Sequence, residues 1–553
     1  MKIVVVGGVA GGMSFAARAR RLSEDAEIVV LERDPYVSFA NCGLPYYLGG
    51  EIQDREELLL QTPGTLQAAL ALDVRTCHEV MSIDRDRKTV AVRVAAVGAA
   101  YPCQVGQPGQ QRAPGSVYTE HYDVLVLSTG AAPVVPPLPG IELPQVRTLR
   151  SVLDVDKLEA LVRSAASDRP RAVVVGAGFI GLETAEAFGH RGLEVTVVEL
   201  ADQVLAPFDA EMALAVQQEL VRHGIEVKTS TSVTAVTAME SGDHAVQVAL
   251  SAGDSLPADI VLLGIGVRPE SSLARQASLA VNQRGAIVVD EHLRTCDPSI
   301  YALGDAIEVI DQVTGAPALV PLAGPANRQG RAAADHLFGR AGKAKPVLGT
   351  AIVRVFDLVA ATTGQSEKAL KRSGTAHHAI HLHPTHHAGY FPGASALHLK
   401  VVFAPDGTVL GAQATGTDGV DKRIDVIATA ISAGMSMPDL AELELAYAPP
   451  FGSAKDPINM AGFIAENVLR GDLVLWTGDD LAAMPSGTTL LDVRSAAEFE
   501  AGHLRGALHI PHTQLRDRIA EVPPDQPVFA YCASGFRSYL AARLLRQRGF
   551  HDV

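Results

Sequence analysis

The sequence predicts an α/β chain: two Rossmann-like dinucleotide-binding domains, then an α+β segment, then a small C-terminal α/β module. Three observations carry this. Two Gly-rich turns, each following a short apolar strand and opening a helix, begin about 170 residues apart. From Val347 onward strands and helices continue without a nucleotide motif. Residues 487–553 alternate short strands with turns and finish on a helix entered from a cysteine-bearing loop.

Length and composition agree. At roughly 150 residues per domain, 553 residues make three to four domains. Hydrophobic residues are 47% and charged residues 20%, enough for sizeable cores and against global disorder. The net charge of -15 argues against nucleic-acid binding. Five scattered cysteines do not make a disulfide framework and fit a reducing, cytoplasmic compartment. The apolar start, Ile3 to Gly12, is broken by four glycines and runs into Arg18, Arg20 and Arg21, which excludes a signal peptide. With no run of 18 apolar residues, no membrane span is expected.

The first unit opens with Lys2 to Val6, a short β-branched run that reads as a buried strand. Gly7-Gly8-Val9-Ala10-Gly11-Gly12 follows, then a helix through Leu22 and a second strand, Glu27 to Leu31, ending in Glu32. The helix N-terminus would bind a pyrophosphate, and Glu32 would take a ribose hydroxyl. Gly7 and Gly12 keep the fingerprint's outer glycines, while Val9 stands at its middle position. The second unit is complete: strand Arg171 to Val175, Gly176-Ala177-Gly178-Phe179-Ile180-Gly181, and strand Glu194 to Val198 ending in Glu199. Glu199 would accept from a ribose 2′-OH and repel a 2′-phosphate, so NADH is favoured and NADPH is the alternative donor. Two such units imply two dinucleotides, a flavin and a nicotinamide.

Between and after them lies the segment Ser38-Phe39-Ala40-Asn41-Cys42-Gly43-Leu44-Pro45. The next cysteine is Cys77, so Cys42 has no local resolving thiol. A lone thiol can instead hold sulfur as a mixed disulfide or a persulfide. Two further stretches, Val124 to Ala131 with Thr129 and Gly130, and Thr295 to Ala306 with Asp305, each run a strand into a tight turn.

Together these segments resemble the two-dinucleotide flavoprotein disulfide reductases. Residues 1 to about 465 resemble their single-cysteine branch: coenzyme A-disulfide reductases with their persulfide-reductase and NADH-oxidase relatives. The resemblance implies FAD bound with help from Asp305 and from backbone at Leu322 and Ala323. It implies Cys42 as the redox cysteine, with Ser38 and Asn41 near the bound thiol. Arg18 and Arg21 become contacts for coenzyme A phosphates, a role suited to the paired donors of a guanidinium. It also implies a C-terminal dimerisation domain and a homodimer. The segment Tyr447 to Gly452 would reach the partner's redox cysteine, with Tyr447 a donor there and Tyr390 a second.

Four other features need a reading. Residues 97–115, rich in Gly, Pro and Gln, read as a hairpin excursion holding an exposed Cys103; Cys77 and Cys296, beside strands, read as structural. His377, His378, His381, His383, His386 and His387 crowd into one stretch without a cysteine or acid cluster; they read as a polar surface strand, with no metal site. Gly349 to Ala360 and Leu397 to Phe403 read as strands, and Asp421 to Ala433 as an amphipathic helix. Residues 487–553, with Asp492, Arg494 and the loop Cys532 to Ser538, resemble a rhodanese sulfurtransferase domain. There Cys532 sits at a strand end over a helix N-terminus, which favours a thiolate or persulfide, and Arg537 adds positive charge.

The expected domains are therefore FAD-binding at 1–150 and 255–330, NAD(H)-binding at 151–254, dimerisation at 331–465, a linker at 466–486 and the rhodanese domain at 487–553. The expected activity is NADH-driven, FAD-dependent reduction of persulfides, polysulfides and coenzyme A-linked disulfides at Cys42, with Cys532 handling sulfane sulfur. The substrates are small thiols, persulfides and disulfides. The alternatives are a coenzyme A-disulfide reductase with an accessory rhodanese domain, and a redox sensor or sulfur relay with weak turnover.

Overall fold

The computed structural model describes residues 1–95, 112–165, 167–240 and 243–553. Cys103 and most of the 97–115 excursion lie outside them. The chain divides into two compact units: Met1–Gly349 with Val353–Asp357, and Thr350–Ile352 with Leu358–Val553.

The first unit holds two parallel five-stranded sheets, alike in their four strands around the Gly-rich turn but different in the edge strand, which comes last in the chain in one and first in the other. In the first the order is Ile300–Ala302, Val124–Leu127, Lys2–Val6, Glu27–Leu31, Asp73–Arg75. Its central strands are buried on both faces, which is why they read as unbroken apolar runs rather than alternating ones. Ala10–Leu22 and Ala323–Leu337 pack together on this sheet. Gly330 permits the approach, since a Cβ there would stand 2.4 Å from the Gly11 carbonyl. The second sheet runs Glu226–Lys228, Glu194–Val198, Arg171–Val175, Ile260–Leu263, Val146–Arg147. A ribbon of Ala131–Pro133 paired with Val267–Pro269 carries the chain between the two sheets.

The second sheet corrects the expected domain limits. Val146–Arg147 and Ile260–Leu263 both hydrogen-bond into it, so limits at 150/151 and 254/255 cut through one sheet. The sequence places strands but not the sheet each joins after a crossover.

In the second unit, antiparallel strands run in the order Leu358–Gly364, Val409–Gly416, Leu397–Phe403, His378–Leu382. Helix Val420–Ala433 turns Ile424, Ile427 and Ala430 to this core, and Pro457–Leu469 adds Ile458, Ala461 and Ala465. The strand expected over Gly349 to Ala360 breaks at Phe356, whose φ is +52°. The C-terminal module is a three-stranded parallel sheet, Leu508–His509, Thr489–Asp492, Val528–Tyr531, over a core that includes Leu491, Ile510 and Leu545.

The linker at 466–486 also needs correction. Helix Pro457–Leu469 crosses its start. Beyond it, Arg543 holds the Asp472 carboxylate at 2.6 Å, and Trp476 donates to the Ala530 carbonyl at 3.1 Å and edges onto Phe529. The segment is fastened to the module it precedes. No helix among the described residues is long and apolar enough to cross a membrane.

Candidate active sites

Both Gly-rich turns have the same construction. Gly7 and Gly176 have φ of +103° and +99°, and a Cβ on either would collide with backbone, 2.1 Å from the Ser128 carbonyl or 2.5 Å from that of Gly264. Gly12 and Gly181 sit where a Cβ would stand 2.0 Å from the carbonyls of Gly7 and Gly176. Glu32 accepts from Gly8 N at 2.7 Å and Asp34 N at 3.0 Å; Glu199 accepts from Ala177 N at 2.7 Å and Ala201 N at 2.8 Å. Each acid thus clamps its turn, a task beyond ribose binding. Val9, in place of the middle glycine, has an ordinary φ of -111°, so the departure carries no backbone strain.

These turns fit dinucleotides. The helices Ala10–Leu22 and Phe179–His190 begin with no side-chain cap, and so does Ala323–Leu337 at Leu322. Their first-turn N–H groups are available to anionic groups. A Cβ on Gly178 would meet nothing within 4 Å, leaving open space at the second helix start.

Cys42 lies in the short turn Asn41–Gly43 that feeds helix Leu44–Gly49. It is exposed and free of disulfide. Ser38, with φ of +46°, is held by its N–H on the Gly8 carbonyl at 2.9 Å, so the segment is anchored to the first Gly-rich turn. The Asn41 side-chain amide donates to the Arg150 carbonyl at 2.6 Å. The Arg150 guanidinium lies 3.4 Å from Asp305 and donates to the Ala131 carbonyl at 3.1 Å. Thr129 donates to the Glu270 carbonyl at 2.5 Å, and Gly130 has φ of +69°. One arginine therefore ties the cysteine segment to the aspartate and to the turn after Gly130. Its contacts span 109 and 155 positions, and no spacing pattern announces it.

Around the thiol, burial first, then Glu183 and Asp305, push the Cys42 pKa up, and Arg150 opposes them. Glu183, one turn into helix Phe179–His190, accepts from the Tyr46 hydroxyl at 3.2 Å. Burial raises the Glu183 carboxyl to about 7, and Tyr46 is raised to about 12 by burial and by Glu183. Glu32 is likewise raised to about 7 by burial. Glu183 and Tyr46 form a hydrogen-bonded acid-base pair whose carboxyl acts electrostatically on Cys42. The sequence reading passed over both, because a glutamate in a helix and a tyrosine after Pro45 carry no mark of it.

The two arginines differ. Arg18 is paired with Asp335 through Nε at 2.8 Å and Nη2 at 2.5 Å. Arg21 is exposed and has no ion pair among the described residues. Cys77 is buried, as a structural cysteine should be, whereas Cys296 is exposed.

In the second unit, Ala388 N donates to the Gly452 carbonyl at 2.9 Å, joining two segments distant in sequence. This brings the Tyr390 and Tyr447 hydroxyls to 3.4 Å. Both rings are exposed, 77% and 49%, beside the exposed Phe451. The His-rich stretch lies on strand His378–Leu382 and the turn after it, with the His383 and His398 Nδ1 atoms 2.8 Å apart.

Cys532 lies between strand Val528–Tyr531 and helix Phe536–Gln547. Its Sγ accepts from Gly535 N at 3.2 Å and lies 3.6 Å from the Ser538 hydroxyl. Burial works against the thiolate, but the amides of Ser538, Ser534 and Gly535 and the Ser538 hydroxyl overcome it, and the thiol pKa falls below its ordinary value. Arg537 is engaged in a two-pronged pair with Glu498 at 2.7 and 2.8 Å. Glu498 is held in turn by the capping box with Ser495. Asp492 is fully buried and grips Arg494 at 2.6 Å, and Arg494 also donates to the Gly502 carbonyl at 2.7 Å.

Comparison with known proteins places these features. The family described as pyridine nucleotide-disulphide oxidoreductase matches residues 1–323. Its dimerisation domain matches 350–456, and a rhodanese-like domain matches 477–553. A coenzyme A disulfide reductase of Staphylococcus epidermidis is 34% identical over 468 residues, 84% of this chain and 100% of that protein. The crystal structure of reduced Bacillus anthracis CoADR-RHD is 44% identical with a TM-score of 0.93, covering 100% of this chain and 95% of that one. The structure of an NAD-dependent persulfide reductase from A. fulgidus is 38% identical with a TM-score of 0.89, covering 100% and 98%.

Proposed function

Because the chain belongs to the pyridine nucleotide-disulphide oxidoreductase family, we propose that it is an FAD-dependent, NADH-driven reductase of persulfides, polysulfides and coenzyme A-linked disulfides, coupled to sulfur transfer in its rhodanese domain. The observation that carries this is Cys42: a lone thiol anchored to the first Gly-rich turn, with Arg150, Asp305 and the Glu183–Tyr46 pair around it. FAD, when bound, supplies electron transfer between the nicotinamide and this sulfur. The chain's own groups do the rest. The uncapped helix starts hold pyrophosphates, Glu32 and Glu199 fix the turns, and Cys42 presents the nucleophile. Its attack on a disulfide bond expels one thiolate and leaves a mixed disulfide on Cys42. The net balance is RSSH + NADH + H⁺ giving RSH + H₂S + NAD⁺. Glu183, with its carboxyl near neutrality, suits the proton that the released thiolate requires.

Arg21, Ser38 and Asn41 fit the thiol substrate, with coenzyme A the carrier the relatives' names suggest. Glu199 favours NADH over NADPH by repelling a 2′-phosphate. The exposed Tyr390–Tyr447 pair fits a homodimer in which each subunit completes its partner's Cys42 site. Among the described residues, cysteines 42, 296 and 532 form no disulfide, which fits a reducing, cytoplasmic setting. A second reading, reduction of coenzyme A disulfide itself, is favoured by the relatives that match only the first 84% of the chain.

The test is steady-state NADH oxidation with coenzyme A persulfide and coenzyme A disulfide as substrates. Cys42→Ser should lose at least about a thousandfold in kcat/KM with both while retaining FAD, the scale of removing a nucleophile. Retained turnover with either would overturn the reading, and the ratio of the two substrates separates persulfide from disulfide reduction.

A further inference from the structure

Helix Phe179–His190 ends on Glu186 and His190, four residues apart and so on one face of the helix. Both line a cleft of about 580 Å³ together with Glu51, His223, Arg354, Phe356 and Asp357. Ligand atoms of Glu51, Glu186 and His190 all lie within 4.8 Å of one another. Glu186 is 4% exposed, and among the described residues its buried Oε1 has no hydrogen-bond partner. The nearest cation is Arg354, whose Nη2 is 3.6 Å from that oxygen and bonds to Glu51. Arg354 is held through Nη2 by Glu51 and lies over the Tyr46 ring at 5.5 Å, while its buried Nε has no hydrogen-bond partner among the described residues. A second group, Glu219, His223 and Asp357, has similar spacing, but there Arg222 closes on Glu219 at 2.5 Å and Asp357 N also donates to it. Its carboxylate is satisfied at both oxygens, whereas Glu186, which accepts from the Phe356 amide, keeps Oε1 without a hydrogen bond.

We propose that Glu51, Glu186 and His190 form a binding site for a divalent transition cation of the zinc class, with the Arg354 guanidinium as its resident competitor. One imidazole and two carboxylates are a ligand set that zinc accepts, with a fourth position left for water. A dication neutralises both carboxylates, where the single charge of Arg354 neutralises one. Glu51 lies just beyond helix Leu44–Gly49, which follows Cys42, so a bound ion would fasten that helix to Phe179–His190. The site is independent of the activity proposed above.

The experiment uses the full FAD-loaded chain with all five cysteines replaced by serine, so that thiols do not compete, and titrates ZnCl₂ by calorimetry after chelator treatment. One ion should bind in the cleft. His190→Ala and Glu186→Gln should each weaken it by at least about tenfold, the scale at which even outer-shell partners act, and Arg354→Gln should tighten it. Should Glu186→Gln fail to fold, the exposed His190→Ala decides alone. Affinity unmoved by His190→Ala, affinity unmoved by Arg354→Gln, or binding lost instead on His383→Ala in the His-rich stretch would each overturn the site.

Discussion

Around Cys42 the surroundings are desolvating and acidic, and they push the thiol up against a single opposing arginine. Around Cys532, three backbone amides and a serine hydroxyl draw the thiol down despite burial. Both are lone sulfurs at the entrance to a helix, yet one environment favours the thiolate and the other opposes it. The surroundings of Cys532 favour its thiolate relative to an ordinary cysteine. Those of Cys42 disfavour it, so groups outside the described contacts must help to form the thiolate that attacks. We propose that the two cysteines divide the work on this basis, Cys532 carrying sulfane sulfur and Cys42 delivering reducing equivalents.

The division breaks most sharply under Cys532→Ala. Sulfur transfer from thiosulfate to cyanide should fall by at least about a thousandfold, while reduction of preformed coenzyme A persulfide should stay within about twofold of the parent. Asp472 and Trp476 are fastened to the C-terminal module, and a diffusible carrier thiol is the shuttle we propose between the two cysteines. Hydrogen sulfide release from thiosulfate should accordingly require added coenzyme A. Equal release without it would mean direct transfer.

A smaller effect is read in stability. The Glu183 carboxyl is raised by burial from 4.5 to about 7 in the fold. The folded chain therefore binds more protons than the unfolded chain between these values, so stability falls as pH rises through the window from about 4.5 to about 7 and is flat above it. The loss has a ceiling on the order of 3 kcal/mol. Glu32, also raised to about 7, contributes with the same sign. In FAD-free protein, Glu183→Gln should reduce the decline of the first unit's melting temperature across that window without abolishing it. An unchanged slope would show that Glu183 is not buried as an acid.

What could be read beforehand follows from the reach of the interactions. Both Gly-rich turns and their acids were legible because strand, turn, helix and acid are neighbours in the chain, and the glycines answer to local collisions at Ser128 and Gly264. Cys532 was legible for the same reason, its donors lying two to six residues on. Arg150 was not, since its partners Asn41 and Asp305 lie 109 and 155 positions away. Glu183 was hidden because its distinction is burial beside Tyr46, which a helical pattern does not encode. Arg18 is a coenzyme A phosphate contact only by the resemblance, and its pairing with Asp335, 317 positions on, has no mark in the local sequence. The domain limits failed where a crossover strand, Ile260–Leu263, joined the sheet on the far side of the assumed cut.

The smallest effect tests the comparison itself. If the two thiols differ as their neighbours dictate, alkylation by iodoacetamide, followed residue by residue by mass spectrometry, should rise at lower pH for Cys532 than for Cys42, because only the thiolate reacts. Glu183→Gln removes one of the negative charges that raise Cys42, so its profile should move to lower pH while that of Cys532 stays in place. Ser538→Ala should do the reverse, removing a hydroxyl 3.6 Å from Cys532 Sγ and moving only that profile upward. The paired design separates local electrostatics from general unfolding, which would shift both cysteines together. A Cys42 profile below that of Cys532 in the parent chain, or one indifferent to Glu183→Gln, would remove the acidic surroundings as the reason the two sulfurs behave differently.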